Sequence, residues 1–323
     1  MKIYNKLIAL VVACGLVGVS YAQDEAAGGN LTDNISIAGF VDASYSTGES
    51  SDAAVADSES LGIDEVEIDF LFGFGSVSAE VHLDSDGGGN TFGVEQAFVS
   101  YDAGNSITVT VGRYGSALGL EREDPGGLYT VSRAYTENSG LNLGNVNEDD
   151  GSGTNEGVTF SYSADDFSIG VSFEDPAGTD TADTDKLNTT ISVSYTGIEN
   201  LSIGGGVASG NGLNTTDVTN VHATYNAGKA LIAVEYTELD ATGTANDVDA
   251  TTILLDYDVS DKVGLVIRYS EEDGSSAALD NEKLTIAPNY AITDNLGAIL
   301  EFSDGEEGTT DVESVALELT LTF

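Results

Sequence analysis

Apolar and polar residues alternate along most of the chain, in short runs separated by polar turns. The clearest unit spans Thr189 to Val207. Ile191, Val193 and Tyr195 alternate there with Ser192 and Ser194, Thr196-Gly197-Ile198-Glu199-Asn200 interrupts, and Leu201 and Ile203 resume the pattern. Successive side chains of a β-strand point to opposite faces, so the unit predicts a hairpin with one apolar and one polar face. The unit recurs. Tyr162, Tyr195, Tyr225, Tyr257 and Tyr290 each close an alternating run ahead of a short turn, at spacings of 33, 30, 32 and 33 residues. Tyr101 stands 61 residues before Tyr162, close to two periods. A period near 32 with two strands in each predicts an array of hairpins.

The aromatic residues choose among arrays. On strands leaving the tyrosine turns, the apolar face opens on an apolar residue and closes on an aromatic six positions later: Phe167 to Phe173, Ala230 to Tyr236, Val263 to Tyr269, Leu296 to Phe302. An apolar band with an aromatic row at each end is the girdle of a transmembrane β-barrel. A soluble sandwich alternates too, but nothing in its core asks for aromatics at both rims. Counted along the chain, from about Ile35–Tyr45 to Val315–Phe323, the runs predict an all-β, antiparallel transmembrane barrel of about 16 strands. An even count fits single-chain bacterial barrels and puts both termini on the side of the tyrosine turns, the periplasmic side. Pro288 falls inside the fourteenth strand, where it removes one ladder hydrogen bond.

The N-terminus differs. Lys2 and Lys6 precede a 13-residue apolar stretch, Leu7–Val19, and Ser20-Tyr21-Ala22 fits a small-residue cleavage site. Residues 1–22 therefore read as a signal peptide, too short in its apolar part to span a membrane as a helix. The mature chain is one domain, 23–323, with a polar lead-in and strands within 34–323. The single cysteine, Cys14, lies in the leader, so the mature part offers no disulfide, thiol nucleophile or thiolate metal site. Removing Lys2 and Lys6 leaves 8 of the 10 basic residues against 55 acidic ones, a net charge of 8 − 55 = −47. Such a chain does not bind nucleic acid through phosphates.

Strand parity turns this charge into a wall. In strand 2, Val66, Ile68, Phe70 and Phe72 share one face and Glu65, Glu67 and Asp69 the other. Three carboxylates on one face are costly in a dry core and natural in a water-filled lumen. Opposite the apolar band, the inward carboxylates are Asp42, Glu65, Glu67, Asp69, Glu80, Asp84, Glu235, Asp256, Glu301 and Glu318, and the inward bases are Arg268 and Lys283. Carboxylate rings favour cations. Glu95 has the parity of the lipid face, which a β-bulge would correct. Asp84-Ser85-Asp86-Gly87-Gly88-Gly89-Asn90 resembles the start of a calcium loop, but a plain glycine loop is the simpler reading, and no metal or cofactor is assigned.

The repeat breaks between Gly112 and Asn155. This stretch, the loop 112–155, carries Arg113, Arg122 and Arg133 with Glu121, Glu123 and Asp124, and then the turn signal Asp124-Pro125-Gly126-Gly127. A loop this long inside a compact repeat is usually functional or mobile. Folded into the lumen, its opposed charges would narrow the pore; the alternative is a flexible external loop.

With 16 strands the break becomes the third external loop, and the chain ends on Leu317-Glu318-Leu319-Thr320-Leu321-Thr322-Phe323. On these features the mature chain resembles the general bacterial porins. The stretch Gly112-Arg113-Tyr114 through Gly119-Leu120-Glu121 to Ser132-Arg133 is similar to the OmpL-like β-barrel porins (family 2). The resemblance implies a Gram-negative outer-membrane protein seated in lipid, with Phe323 as the signal read by the barrel-assembly machinery. It implies a third loop folded inward as a constriction, passive diffusion of ions and small hydrophilic solutes, and a homotrimer as one assembly open to it. The chain departs from the general pattern in lacking a dense arginine ladder on the wall facing the loop. A structural or adhesive barrel without channel activity is the alternative. An enzyme is not expected, since the only histidines, His82 and His222, come with no acid–base pair fixed by sequence.

Overall fold

A computed structural model describes residues 34–86, 92–121, 128–134, 155–175, 187–209, 216–241, 247–275 and 280–323. The expected signal peptide lies outside the described residues, as do Arg122, Glu123 and Asp124 and the glycines of the acidic loop after Asp86. The sixteen strands are β1 (Ile35–Ser50), β2 (Ser58–Phe74), β3 (Val77–Asp86), β4 (Gly93–Gly104), β5 (Ile107–Tyr114), β6 (Asn155–Ser163), β7 (Phe167–Asp175) and β8 (Asn188–Ile198), followed by β9 (Leu201–Ser209), β10 (Thr216–Ala227), β11 (Ala230–Ala241), β12 (Val248–Asp258), β13 (Val263–Gly274), β14 (Asn281–Ala291), β15 (Leu296–Glu307) and β16 (Thr310–Thr322). Each pairs antiparallel with its neighbours in the chain, and β1 pairs with β16 from Phe40↔Thr322 to Ser50↔Val312, closing the barrel. Closure leaves no edge strand with unpaired backbone groups, which a sheet in lipid requires.

The period-2 pattern fixes which way each strand faces. Val221, Val234 and Ile253 are each about half exposed on the outer surface, while the buried side chains among the described residues are mostly polar: Asp42, Glu67, Ser192, Asn220, Thr252, Thr285 and others. This inverts a soluble core and suits apolar surroundings with a wet or polar inside. One rim has tight turns. Gly75 (φ 65°), Asn200 (φ 64°) and Gly228 (φ 70°) adopt the left-handed backbone that two-residue hairpin turns need. The tyrosine row stands at this rim, with Tyr162 opposite Ile107, Tyr195 opposite Phe167, Tyr257 opposite Ala230 and Tyr290 opposite Val263. At the other rim the phenols donate to carboxylates: Tyr45 to Glu59, Tyr236 to Asp249 and Tyr269 to Glu282, each at 3.0 Å. These rings bury their apolar bodies in the band and keep a polar tip in water.

Some boundaries move. The alternation of the first run ends near Tyr45, yet much of the acidic stretch 46–60 that follows is strand, because the ladder runs on through Gly48↔Ser58 and Thr47↔Glu59 beyond the apolar band. Outside lipid a strand needs no apolar face, so alternation under-reports its length. The long loop shrinks to 115–154 for the same reason, since Arg113 and Tyr114 pair with Glu156 and Asn155. Glu95 is the extra residue of an irregularity in β4, between His82↔Gln96 and Leu83↔Val94, and its carboxylate is buried. In β14, pairing with β15 lapses between Ile286↔Phe302 and Asn289↔Ile299, which is where Pro288 has no N–H to give.

Candidate functional site

The site is the barrel interior and the loop that enters it. On the strands, Asp42, Glu65, Glu67, Asp69, Glu80, Asp84, Glu235, Asp256, Glu301 and Glu318 alternate with outward apolar neighbours and so line the inner face, as do Arg268 and Lys283. The charge is unevenly spread. From Ile35 to Gly104, the span of β1–β4, the sequence has no lysine or arginine.

The loop leaves β5 with the Gly115 amide donating to Gln96 Oε1 at 3.1 Å. Leu118 is fully buried against Val218 and Leu239, and Gly206 makes room for it: a Cβ there would sit 2.8 Å from Leu118 Cδ2. The Gly119 amide then donates to Asn220 Oδ1 (3.3 Å) and the Leu120 amide to Glu235 Oε1 (2.8 Å). Asn220 Nδ2 holds that same Glu235 oxygen at 2.9 Å and Thr237 Oγ1 at 2.8 Å. Next comes an ion pair. Arg268 Nη1 donates to both oxygens of Glu121 at 2.9 Å, and Arg268 Nη2 donates to Ser132 O (2.7 Å) and Ser132 Oγ (3.1 Å). Glu121 Oε2 also accepts from the Ala134 amide (3.1 Å), the Ser132 amide donates to Glu301 Oε2 (2.9 Å), and Lys283 Nζ donates to Arg133 O (2.9 Å). The pair is fully buried, and a buried pair holds only when hydrogen bonds satisfy its remaining oxygens and protons; both Glu121 oxygens and both terminal nitrogens of Arg268 have partners, while the buried Arg268 Nε makes no hydrogen bond.

Beside the pair lies an apolar patch on the inner face. Ala233, Leu254, Val266, Ala287 and Ile299 form a buried cluster against which Leu120, Tyr129 and Val131 of the loop pack. Burial raises the Tyr129 phenol above its usual range, so it stays un-ionised. Beyond Gly115, the partners of the loop described above lie on β9–β15, and β13 is eight strands from β5 in a ring of sixteen. A segment rooted on β5 that touches the inner face of β13 crosses the bore.

Arg113 departs from expectation. It continues the outward parity of Val109 and Val111, lies beside Ala97 on the outer face, and there pairs with Glu156 (Nε to Oε1 2.9 Å) and donates to Val94 O. Glu121 is placed against the wall rather than across open water, and Arg133 meets the wall through its backbone carbonyl. Sequence reading missed Asn220, Thr237 and the Ser132 backbone, which are ordinary polar residues until the loop arrives. It also missed the apolar patch, although a signal existed: Ile253-Leu254-Leu255, Leu265-Val266-Ile267 and Ala298-Ile299-Leu300 are apolar on both faces, as in a sheet covered on both sides.

Three comparisons bear on identity. No curated protein matches the chain in sequence. Its fold is similar to that of an anion-selective porin from Comamonas acidovorans (15% identity, 90% of this chain and 99% of that one, TM-score 0.66). It is also similar to the outer-membrane expressed OmpT of Vibrio cholerae (17%, 90% and 97%, TM-score 0.62) and to a triple mutant of Rhodopseudomonas blastica porin (16%, 90% and 100%, TM-score 0.61). The profile of a family described as Gram-negative porin matches residues 8–309, nearly the whole length, and the chain belongs to that family.

Proposed function

We propose that the protein is an outer-membrane channel for passive diffusion of ions and small hydrophilic solutes, with a preference for cations and no enzymatic activity. The observation that carries the cation preference is the acidic inner wall, above all the β1–β4 span without lysine or arginine. Glu121 and the docked loop form the constriction, and export depends on the leader 1–22. In a wide aqueous bore each charge is screened within about 8 Å at physiological salt, so the preference is graded and largest in dilute salt. The experiment is a reversal potential in a potassium chloride gradient across a planar bilayer. Cation preference is expected, and replacing Glu65, Glu67 and Asp69 together with their amides should weaken it. A chloride preference would overturn the reading, and absence of conductance would leave a structural barrel. The Comamonas porin is anion-selective by its description, so this chain is expected to differ from it in sign.

The assembly reading has its own test. The Phe323 amide donates to Gly39 O at 3.1 Å, and its ring lies where a Cβ on Gly39 would come within 2.9 Å. Deleting Phe323 is expected to lower the amount inserted in the outer membrane while leaving synthesis unchanged. Equal amounts in the membrane fraction would remove the assembly role. A trimer form is described for Vibrio cholerae OmpT, which supports a homotrimer here.

A further inference from the structure

The barrel wall holds a second constellation, on β2 and β3, away from the Arg268–Glu121 pair. Asp69 on β2 faces His82 on β3 across the ladder, and Glu67 lies one position along the same face. His82 Nδ1 is 3.1 Å from Glu67 Oε1 and 3.4 Å from Asp69 Oδ1, and one ligand atom from each of the three lies within 4.8 Å of the others. Both contacts are ion-pair distances to a protonated ring. His82 Nδ1 and Asp69 Oδ1 are both buried, and neither makes a hydrogen bond of good geometry. The other ring nitrogen, Nε2, is held at 3.2 Å by Glu80 Oε2.

We propose that Glu67, Asp69 and His82 form a binding site for a divalent first-row transition-metal cation of the Zn2+ type. A tetrahedral ion with bonds of about 2.0–2.1 Å spaces its ligand atoms about 3.4 Å apart, close to the two measured separations from Nδ1. An imidazole nitrogen among carboxylate oxygens suits Zn2+ better than Ca2+ or Mg2+, which take oxygen. With Nδ1 as ligand, Nε2–H donates to Glu80, the carboxylate–histidine–metal arrangement that fixes the tautomer and orients the ring. The bulge in β4 brings a fourth group near, since Glu95 Oε2 is 3.9 Å from Nδ1. Electrostatics favours occupancy, because no lysine or arginine between Ile35 and Gly104 competes for these carboxylates. The ligands sit on paired strands, so the site is built before the ion arrives. Ordinary protonation of His82 is the competing account, and it predicts no affinity for metal.

The test uses metal-free barrel refolded in detergent, titrated calorimetrically with Zn2+ in excess Mg2+ to cover the many exposed carboxylates. One saturable site per chain is expected, lost in His82→Ala and Asp69→Asn and weakened about 10–100-fold in Glu80→Gln. Heat-modifiable gel migration shows whether each variant has folded. If His82→Ala does not fold, the Asp69 and Glu80 variants decide. Co2+ bound to the unaltered protein should give the intense visible bands of a tetrahedral site, absent in Asp69→Asn. No stoichiometric Zn2+ binding, or binding unaltered in the folded variants, would overturn the proposal.

Discussion

Replacing Arg268 with alanine is expected to raise single-channel conductance and make the open current noisy. Arg268 holds Glu121 with one guanidinium nitrogen and the Ser132 carbonyl and hydroxyl with another, so it ties both described pieces of the loop to β13. Removing it leaves Glu121 buried without its ion-pair partner, and breaking a buried pair from one side costs about 3–5 kcal/mol. The ladder does not bear that cost, because β13 keeps its backbone pairing to β12 and β14. The loop does, and it can avoid the cost by leaving the wall. Removing both charges should do less harm, so Arg268→Met with Glu121→Met should lie closer to the unaltered channel than Arg268→Ala. Planar-bilayer recordings of the three proteins decide this. Conductance and noise unchanged in Arg268→Ala would mean that the pair does not hold the loop in a position that limits current.

The second large effect is expected at Leu254. It is fully buried in the patch that receives Leu120, Tyr129 and Val131. Leu254→Ala should cost about 2–5 kcal/mol of packing, and Leu254→Asp more, by burying an unpaired carboxylate at several kcal/mol. Local stability need not follow global stability, so this loss should appear as loop opening with the barrel intact. Soluble protease added to detergent-folded protein should cut within 115–154 in the order aspartate, alanine, leucine, while the heat-modified gel shift stays the same. An equally resistant loop in Leu254→Asp would show that the apolar contacts do not hold it.

How far these features could be read in advance depends on range. Strand number, faces and closure were legible because alternation is local: Val66-Glu67-Ile68-Asp69-Phe70 states both faces in five residues. The bulge at Glu95 was legible too, as a parity conflict within one strand. Strand ends in the acidic stretch 46–60 were not, because backbone pairing continues there without an apolar face to mark it. Arg113 was misplaced although its parity with Val109 and Val111 already set it outward; grouping it with the loop charges overrode the strand pattern. The Glu121–Arg268 pair joins residues 147 positions apart, and no periodicity reports a partner at that distance. The patch around Leu254 falls between. Strands apolar on both faces announced a cover but did not say which segment provides it.

Those two-faced strands have a consequence for how the barrel is put together. Slipping a strand by one residue exchanges its faces, and alternation normally makes this prohibitive. Along Ile253-Leu254-Leu255 and Leu265-Val266-Ile267 the exchange trades one apolar residue for another, so the hydrophobic pattern hardly resists it. Arg268 does. It stands opposite Leu254 in the native pairing, and a one-residue slip of β13 would turn it out into lipid. An arginine near the bilayer midplane costs about 2–4 kcal/mol. The side chain that fastens the loop thus also favours the native register of β13 over a one-residue slip.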